Sequence, residues 1–246
     1  MPRLAIAAFA ATAVTLAAGC GSGSSAPART STSSAPASKP PAFRPADFVA
    51  HVTNPWFPLP AGRTLHYRGE EDGTPGRDVF TVTHRRKTIL GVHATVVHDR
   101  VAKHGRVVED SFDYYAQDRR GYVWYVGEDT KELDRHGKVT SREGTWRAGR
   151  QGAKAGVFMP PRPRVGQSFQ QEVFPGHAED HFRVVRRTAT VQVPYVTTHH
   201  ALRTLEWTPL EPGVRDAKLY VRGVGTAFEE TIRGGDEQWR LVRITH

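Results

Sequence analysis

Carboxylates crowd one stretch of an otherwise basic chain. Glu109, Asp110, Asp113, Asp118, Glu128 and Asp129 all fall between residues 109 and 129. Two carboxyls held at a fixed separation can divide the work of glycosidic hydrolysis, one protonated and one ionised. Asp110 and Glu128 suit that catalytic role by position, because each interrupts the apolar face of a candidate strand, where burial raises a carboxyl pKa. The plainer reading pairs these acids with Arg119, Arg120 and Lys131 as structural ion pairs. A second constellation is His177-Ala178-Glu179-Asp180-His181. On a strand His177, Glu179 and His181 share a face, and on a helix the two histidines align, so either conformation offers metal ligands. One of His199 and His200 would extend the set. The competing reading is an exposed polar strand start after Pro175-Gly176. No serine-nucleophile motif, phosphate-cradling glycine loop or dinucleotide fingerprint occurs, and no cofactor is expected. Tyr122, Trp124, Tyr125, Trp146 and Trp207 offer a carbohydrate or lipid platform, although core is the usual place for such rings.

The one cysteine of the 246 residues, Cys20, has a chemistry set by what precedes it. Arg3 opens the chain with a positive charge, an apolar run covers residues 4–16, and Leu16-Ala17-Ala18-Gly19-Cys20 follows. That order is a secretory signal ending in a lipobox. The run is shorter than the ~20 residues of a spanning helix. Residues 1–19 are therefore expected to be removed, and Cys20 to become a lipid-bearing N-terminus on the extracytoplasmic face of the cytoplasmic membrane. Lipidation consumes the only thiol, which excludes disulfides, Cys-based metal sites and thiol catalysis from the mature protein. Residues 20–46 continue as a Ser/Pro/Ala tether with Arg29, Lys39 and Arg44 and no acid, a composition that buries too little apolar surface to fold.

From residue 47 to residue 246 the chain reads as one β domain with no second linker. Thirty of the 34 basic residues and all 25 acids lie there, a balance of +5. No nucleic-acid motif accompanies that charge, so the anions expected outside the membrane are lipid headgroups and wall polymers. Phe112, Tyr114 and Ala116 alternate with Ser111, Asp113 and Gln117, the period of a strand with one buried face. Asp118-Arg119-Arg120-Gly121 predicts a hairpin turn, and residues 121–128 a strand covered on both faces. Further strands are expected at 63–68, 78–89, 92–102, 181–193, 197–208, 217–232 and 238–244, with Gly223 and Gly225 marking a bulge or sharp bend in the longest of the later ones. Residues 45–52 alone have the spacing for a turn or two of helix. Residues 138–164 differ, carrying seven basic residues against Glu143 with four glycines and three prolines. They predict a mobile arm whose Arg147, Arg150 and Lys154 touch an anionic surface.

Four phrases carry a resemblance: Asn54-Pro55-Trp56-Phe57-Pro58-Leu59, the stretch 109–118 (EDSFDYYAQD), 123–132 (VWYVGEDTKE) and 206–213 (EWTPLEPG). Together they resemble a family of uncharacterised bacterial secreted proteins and lipoproteins, over most of residues 51–232. That likeness implies no site residues. The closing Leu219-Tyr220-Val221-Arg222-Gly223-Val224-Gly225, running into Glu229-Glu230, is similar to the last strands of the lipoprotein-carrier (LolA/LolB-like) fold, an incomplete barrel around an apolar cavity.

The expectation is thus an all-β protein, a single curled antiparallel sheet or incomplete barrel with little helix. It is tethered to the membrane and binds, without catalysis, an amphiphilic ligand or an anionic wall or lipid surface. The rivals are an envelope hydrolase using the acidic set with a His-bound metal, and an interaction module of an envelope protein complex. Oligomeric state is left open.

Overall fold

Alternating sequence and tight turns build one continuous antiparallel sheet in the computed structural model, which describes residues 38–246. A first meander runs through β2 (Thr64–Glu71), β3 (Thr74–Ile89), β4 (Val92–Lys103), β5 (Arg106–Asp118) and β6 (Val123–Asp129). A second runs through β13 (His181–Val193), β14 (Val196–Trp207), β15 (Arg215–Val221), β16 (Gly225–Arg233) and β17 (Gln238–Thr245). Two-residue turns with both residues at positive φ join β2 to β3 (Asp72-Gly73), β3 to β4 (Leu90-Gly91) and β4 to β5 (His104-Gly105). Their twist matches that of the strands they join.

The sheet curls back on itself at two seams. At one, β17 pairs with β2, setting Thr245 against Thr64 and Leu241 against Tyr67. At the other, β6 pairs with β10 (Lys154–Met159), β10 with β12 (Glu172–Val173), and β11 (Ser168–Gln170) with β13. The result is a nearly closed barrel. Gly156 permits the second seam, since a Cβ there would lie 2.0 Å from the Gln171 carbonyl oxygen. β1 (Phe48–Val49) adds to the edge of β5, and β7 (Glu132–Leu133), β8 (Val139–Ser141) and β9 (Trp146–Arg147) decorate β5 and β6.

The Asn54-Pro55-Trp56-Phe57-Pro58-Leu59 segment plugs one end. Asn54 Nδ2 donates to the Gly121 and Pro160 carbonyls, Gln117 Oε1 accepts from the Thr53 and Asn54 amides, and the Gly223 amide donates to Pro55 O. Three turns and the end of β5 are thereby tied to one loop. Phe57 drops from it onto Phe80 of β3, Tyr115 of β5 and Phe158 of β10, with ring centroids 6.1, 5.0 and 4.4 Å away. Rings from three separate strands meet at Phe57, so this is the barrel interior.

Three expectations are corrected. The helical turns of residues 45–52 reduce to one 3-10 turn, Pro45–Asp47, before the chain extends into β1. The 138–164 arm is not a mobile loop: Trp146, Ala148, Ala153, Val157, Phe158 and Met159 are buried and β10 is barrel wall. Its hydrophobic residues, spaced between the bases, outweigh the glycines. Finally, the expected 217–232 strand is not continuous, and Gly223 and Gly225 mark a sharp bend rather than a bulge. They stand at φ 78° and 105° in a hairpin turn that splits the expected 217–232 strand into β15 and β16.

Candidate functional site

A bulge in β6 creates the centre of the interior. Tyr114 faces Gly127 and Tyr115 faces Tyr125, so β6 carries one extra residue, Val126, at this point. The extra residue changes the side-chain alternation beyond it. Tyr125 and Glu128 consequently share the inner face with Tyr115 and Asp113. Tyr125 stacks on Tyr115 with centroids 4.7 Å apart, and its hydroxyl stands 2.6 Å from Asp113 Oδ1 and 3.0 Å from Glu128 Oε2. A phenol has one hydrogen to donate. With Asp113 as the closer acceptor, the second contact is made by a protonated Glu128 donating to the phenol oxygen. Burial and the neighbouring Asp113 charge push the Glu128 pKa well up, which agrees with that assignment.

The acids continue around the wall. Trp146 Nε1 donates to Glu172 Oε1 at 2.9 Å, and burial, then Asp180 and Glu128, raise Glu172 well above the usual carboxylate range. Asp180 is lifted to about 8, chiefly by burial, with Lys218 opposing and Glu206 adding. Lys218 Nζ lies 3.0 Å from Glu206 and 3.2 Å from Glu229. Burial alone would lower the lysine, but the two carboxylates outweigh it and its pKa rises. Thr204 Oγ1 and the Tyr220 hydroxyl also donate to Glu206, at 3.0 and 3.3 Å. Asp216 is lifted to about 7 by burial against a hydrogen bond from Thr231. Among the described residues ten acids are buried but only two basic residues, Arg63 and Lys218. Burying carboxylates is costly unless they are protonated or hydrogen-bonded, and Asp113, Asp118, Glu128, Glu172, Asp180, Glu206, Asp216 and Glu237 are raised in pKa, hydrogen-bonded or both.

The residues singled out in the sequence are placed differently from one another. Asp110 and Glu128 are not brought together. Asp110 lies three positions from Asp113 and so on the opposite, outer face of β5, where it meets His98 Nε2 at 2.6 Å and Lys131 Nζ at 3.6 Å. Glu128 is in the interior, with Asp113 as its partner. His177 stacks on Phe174 and His181 on Trp207, while Glu179 accepts from the Gly176 amide. Burial lowers the His181 pKa, with Glu179 opposing. Among the described residues no group of three or more His, Cys, Asp or Glu side chains is placed to hold a metal ion. Arg147 lies over the Tyr114 ring on the outer wall, and Arg150 and Lys154 are exposed. Cys20 lies outside the described residues.

Sequence reasoning passed over Glu172, Asp180, Glu206 and Lys218, and set Asp113 on the solvent side. One signal was present: on the strand 215–221, Asp216, Lys218 and Tyr220 share a face, and a lysine between two such neighbours marks a polar interior row.

Fold and site together define a nearly closed antiparallel β-barrel, plugged at one end and lined inside by carboxyls, tyrosines and one lysine. No family model matches the sequence, and no curated protein matches it. Two solved structures are similar. One is a Bacteroides fragilis protein inferred to be exported and described as having a YmcC-like fold, 13% identical, with a TM-score of 0.46 over 78% of this chain and 99% of the other. The second is a Parabacteroides distasonis protein inferred to be a lipoprotein, 10% identical, with a TM-score of 0.42 over 77% and 98%.

Proposed function

We propose that this is a lipid-anchored barrel of the cell envelope, held at the extracytoplasmic face through Cys20, that binds an amphiphilic or envelope-derived ligand without transforming it. The observation that carries the reading is the inner wall: Asp113, Tyr125, Glu128 and Glu172 converge beside the aromatic layer of Phe57, Phe80 and Phe158. Carboxyls and phenols there suit amines and hydroxyls of a ligand's polar part, and the rings suit its apolar part. The lipobox supports the anchor. The test is native mass spectrometry of the protein purified gently from membranes, beside Asp113→Asn and Cys20→Ser forms. A small molecule that co-purifies with the wild type and is lost from Asp113→Asn supports the reading. Empty wild-type protein that takes up no long-chain amine or alcohol ends it, and a Cys20→Ser protein still bound to membranes ends the anchor.

One observation favours a second reading, an envelope hydrolase. The Asp113 and Glu128 oxygens lie 2.6 and 3.0 Å from one hydroxyl, hence no more than 5.6 Å apart. Retaining glycosidases hold their two carboxyl groups about 5–5.5 Å apart, one protonated and one ionised. Release of reducing sugar from cell-wall glycan by the wild type, abolished in a folded Glu128→Gln variant, would establish it over simple binding.

A further inference from the structure

The two ends of the barrel carry opposite charge. At the plugged end lie residues 38–63, 84–86, 118–122, 160–164 and 222–224. His84 lies against Gly62, Arg86 donates to Ala50 O, Arg119 and Arg120 donate to Ala46 O and Ala42 O, Pro161 lies against Gly121, and Gly223 is bonded to Pro55. These segments contain ten lysines and arginines against two acids, Asp47 and Asp118. Both acids are already engaged, Asp118 with Arg120 at 2.7 Å and Asp47 with Arg119 at 3.5 Å. At the other end the turns 70–73 and 234–237 meet through the Asp72 amide and Asp236 Oδ1. Those turns hold Glu70, Glu71, Asp72, Asp236 and Glu237, against Lys103, 2.6 Å from Glu71, and Arg106 of the neighbouring β4–β5 turn.

The chain also joins the domain at the cationic end. The Ser38 amide donates to Ser168 O, the Phe43 ring lies against Phe48 and Trp124, and residues 42–47 run along the turn between β5 and β6. From Cys20 to Ser38 is eighteen residue steps, a reach of at most roughly 65 Å. The tether therefore meets the domain where the bases are.

We infer that the plugged end is a docking face for the anionic bilayer that holds the lipid of Cys20, with Arg44, Arg162 and Arg222 among its contacts. The inference rests on the anchoring proposed above. Bases near an anionic membrane each add attraction that decays over a Debye length of about 8 Å at physiological salt. Docked this way, the barrel turns its acidic end away from the headgroups, so both ends favour one orientation.

The test uses the full chain purified from membranes and reconstituted in vesicles of phosphatidylcholine alone or mixed with phosphatidylglycerol. A fluorophore is attached at Val165→Cys, beside the plugged end, or at Arg233→Cys, at the far end, and a quencher is carried on a lipid headgroup. In phosphatidylglycerol vesicles quenching at position 165 should exceed that at 233 severalfold. High salt, or Arg44, Arg162 and Arg222 changed together to serine, should erase the difference. Equal quenching at both positions, or a difference of the same size in phosphatidylcholine alone, overturns the docking face. So does protection of position 165 by an anionic wall polymer but not by vesicles. The mass of the Cys20 peptide from the same sample reads the anchor separately. An unmodified Cys20 with the asymmetry intact in added vesicles removes the anchor and keeps the docking face, and a lipidated Cys20 without asymmetry does the reverse.

Discussion

Asp216 is the carboxyl whose titration can be isolated from its neighbours. It is buried on β15, with Thr231 Oγ1 donating to its Oδ1 at 2.7 Å. Burial lifts its pKa to about 7 against that hydrogen bond, with Glu229 and Glu206 adding and Lys218 opposing. In the unfolded chain the same group titrates near ~3.9. Because the folded pKa is the higher, the stability conferred by this proton is fully present below about pH 4 and is lost as pH rises through about 7. From about pH 5 to about pH 8 the loss from this one group is about 2–3 kcal/mol. Asp216→Asn keeps an oxygen for the Thr231 hydroxyl and removes the titration. Urea unfolding followed by tryptophan fluorescence across that window should show the wild type losing about 2–3 kcal/mol more than the variant. Asp180, Glu128 and Glu172 also have raised pKa values and steepen the decline in the same direction, but they remain in both proteins. Parallel curves would show that Asp216 does not change protonation in this range and would refute the reasoning.

Other outcomes follow from the same interior. Lys218→Met leaves buried Glu206 and half-buried Glu229 without their cation and should cost about 3–5 kcal/mol by urea unfolding; a loss below about 1 kcal/mol would mean the site relaxes or hydrates. At neutral pH Glu128→Gln should be nearly silent, since its amide replaces the donated proton, whereas Tyr125→Phe should cost about 1–3 kcal/mol; equal losses would contradict a protonated Glu128. Gly156→Ala drives a Cβ into the Gln171 carbonyl at the β10–β12 seam, so its melting temperature should fall sharply, and an unchanged one would place the closure elsewhere. A chelator should leave the wild-type melting curve unmoved; a lowered midpoint would restore His177 and His181 as ligands.

The strands and their turns were readable because alternation and turn chemistry are local. Asp118 to Gly121, Lys103 to Gly105 and Pro194-Tyr195 all turn the chain where expected. Which face of β5 looks inward was not readable. Alternation separates Asp113 and Tyr115 from Phe112 and Tyr114, but a pattern of two has no sign. The usual rule puts the apolar face inside. Here the outer rings are roofed by cations, Arg85 over Phe112 and Lys87 and Arg147 over Tyr114, while Ser111 and Asp113 point into the barrel. Glu128 was found for its chemistry but given the wrong partner, because the bulge at Val126 cannot be seen from its own sequence. Glu172 and Asp180 come together with Glu128 only when the barrel closes, and that closure is a long-range event.

The seam between β2 and β17 has a consequence for how the chain is made. β2 and β17 lie far apart in the chain, so during synthesis β2 keeps one edge without its partner until residues 238–245 exist. An unpaired edge is a template for pairing with another chain. A chain cut short before residue 238 therefore keeps that template open. Losing residues 238–245 opens two edges at once, on β2 and on β16, at the point where the barrel would otherwise have none.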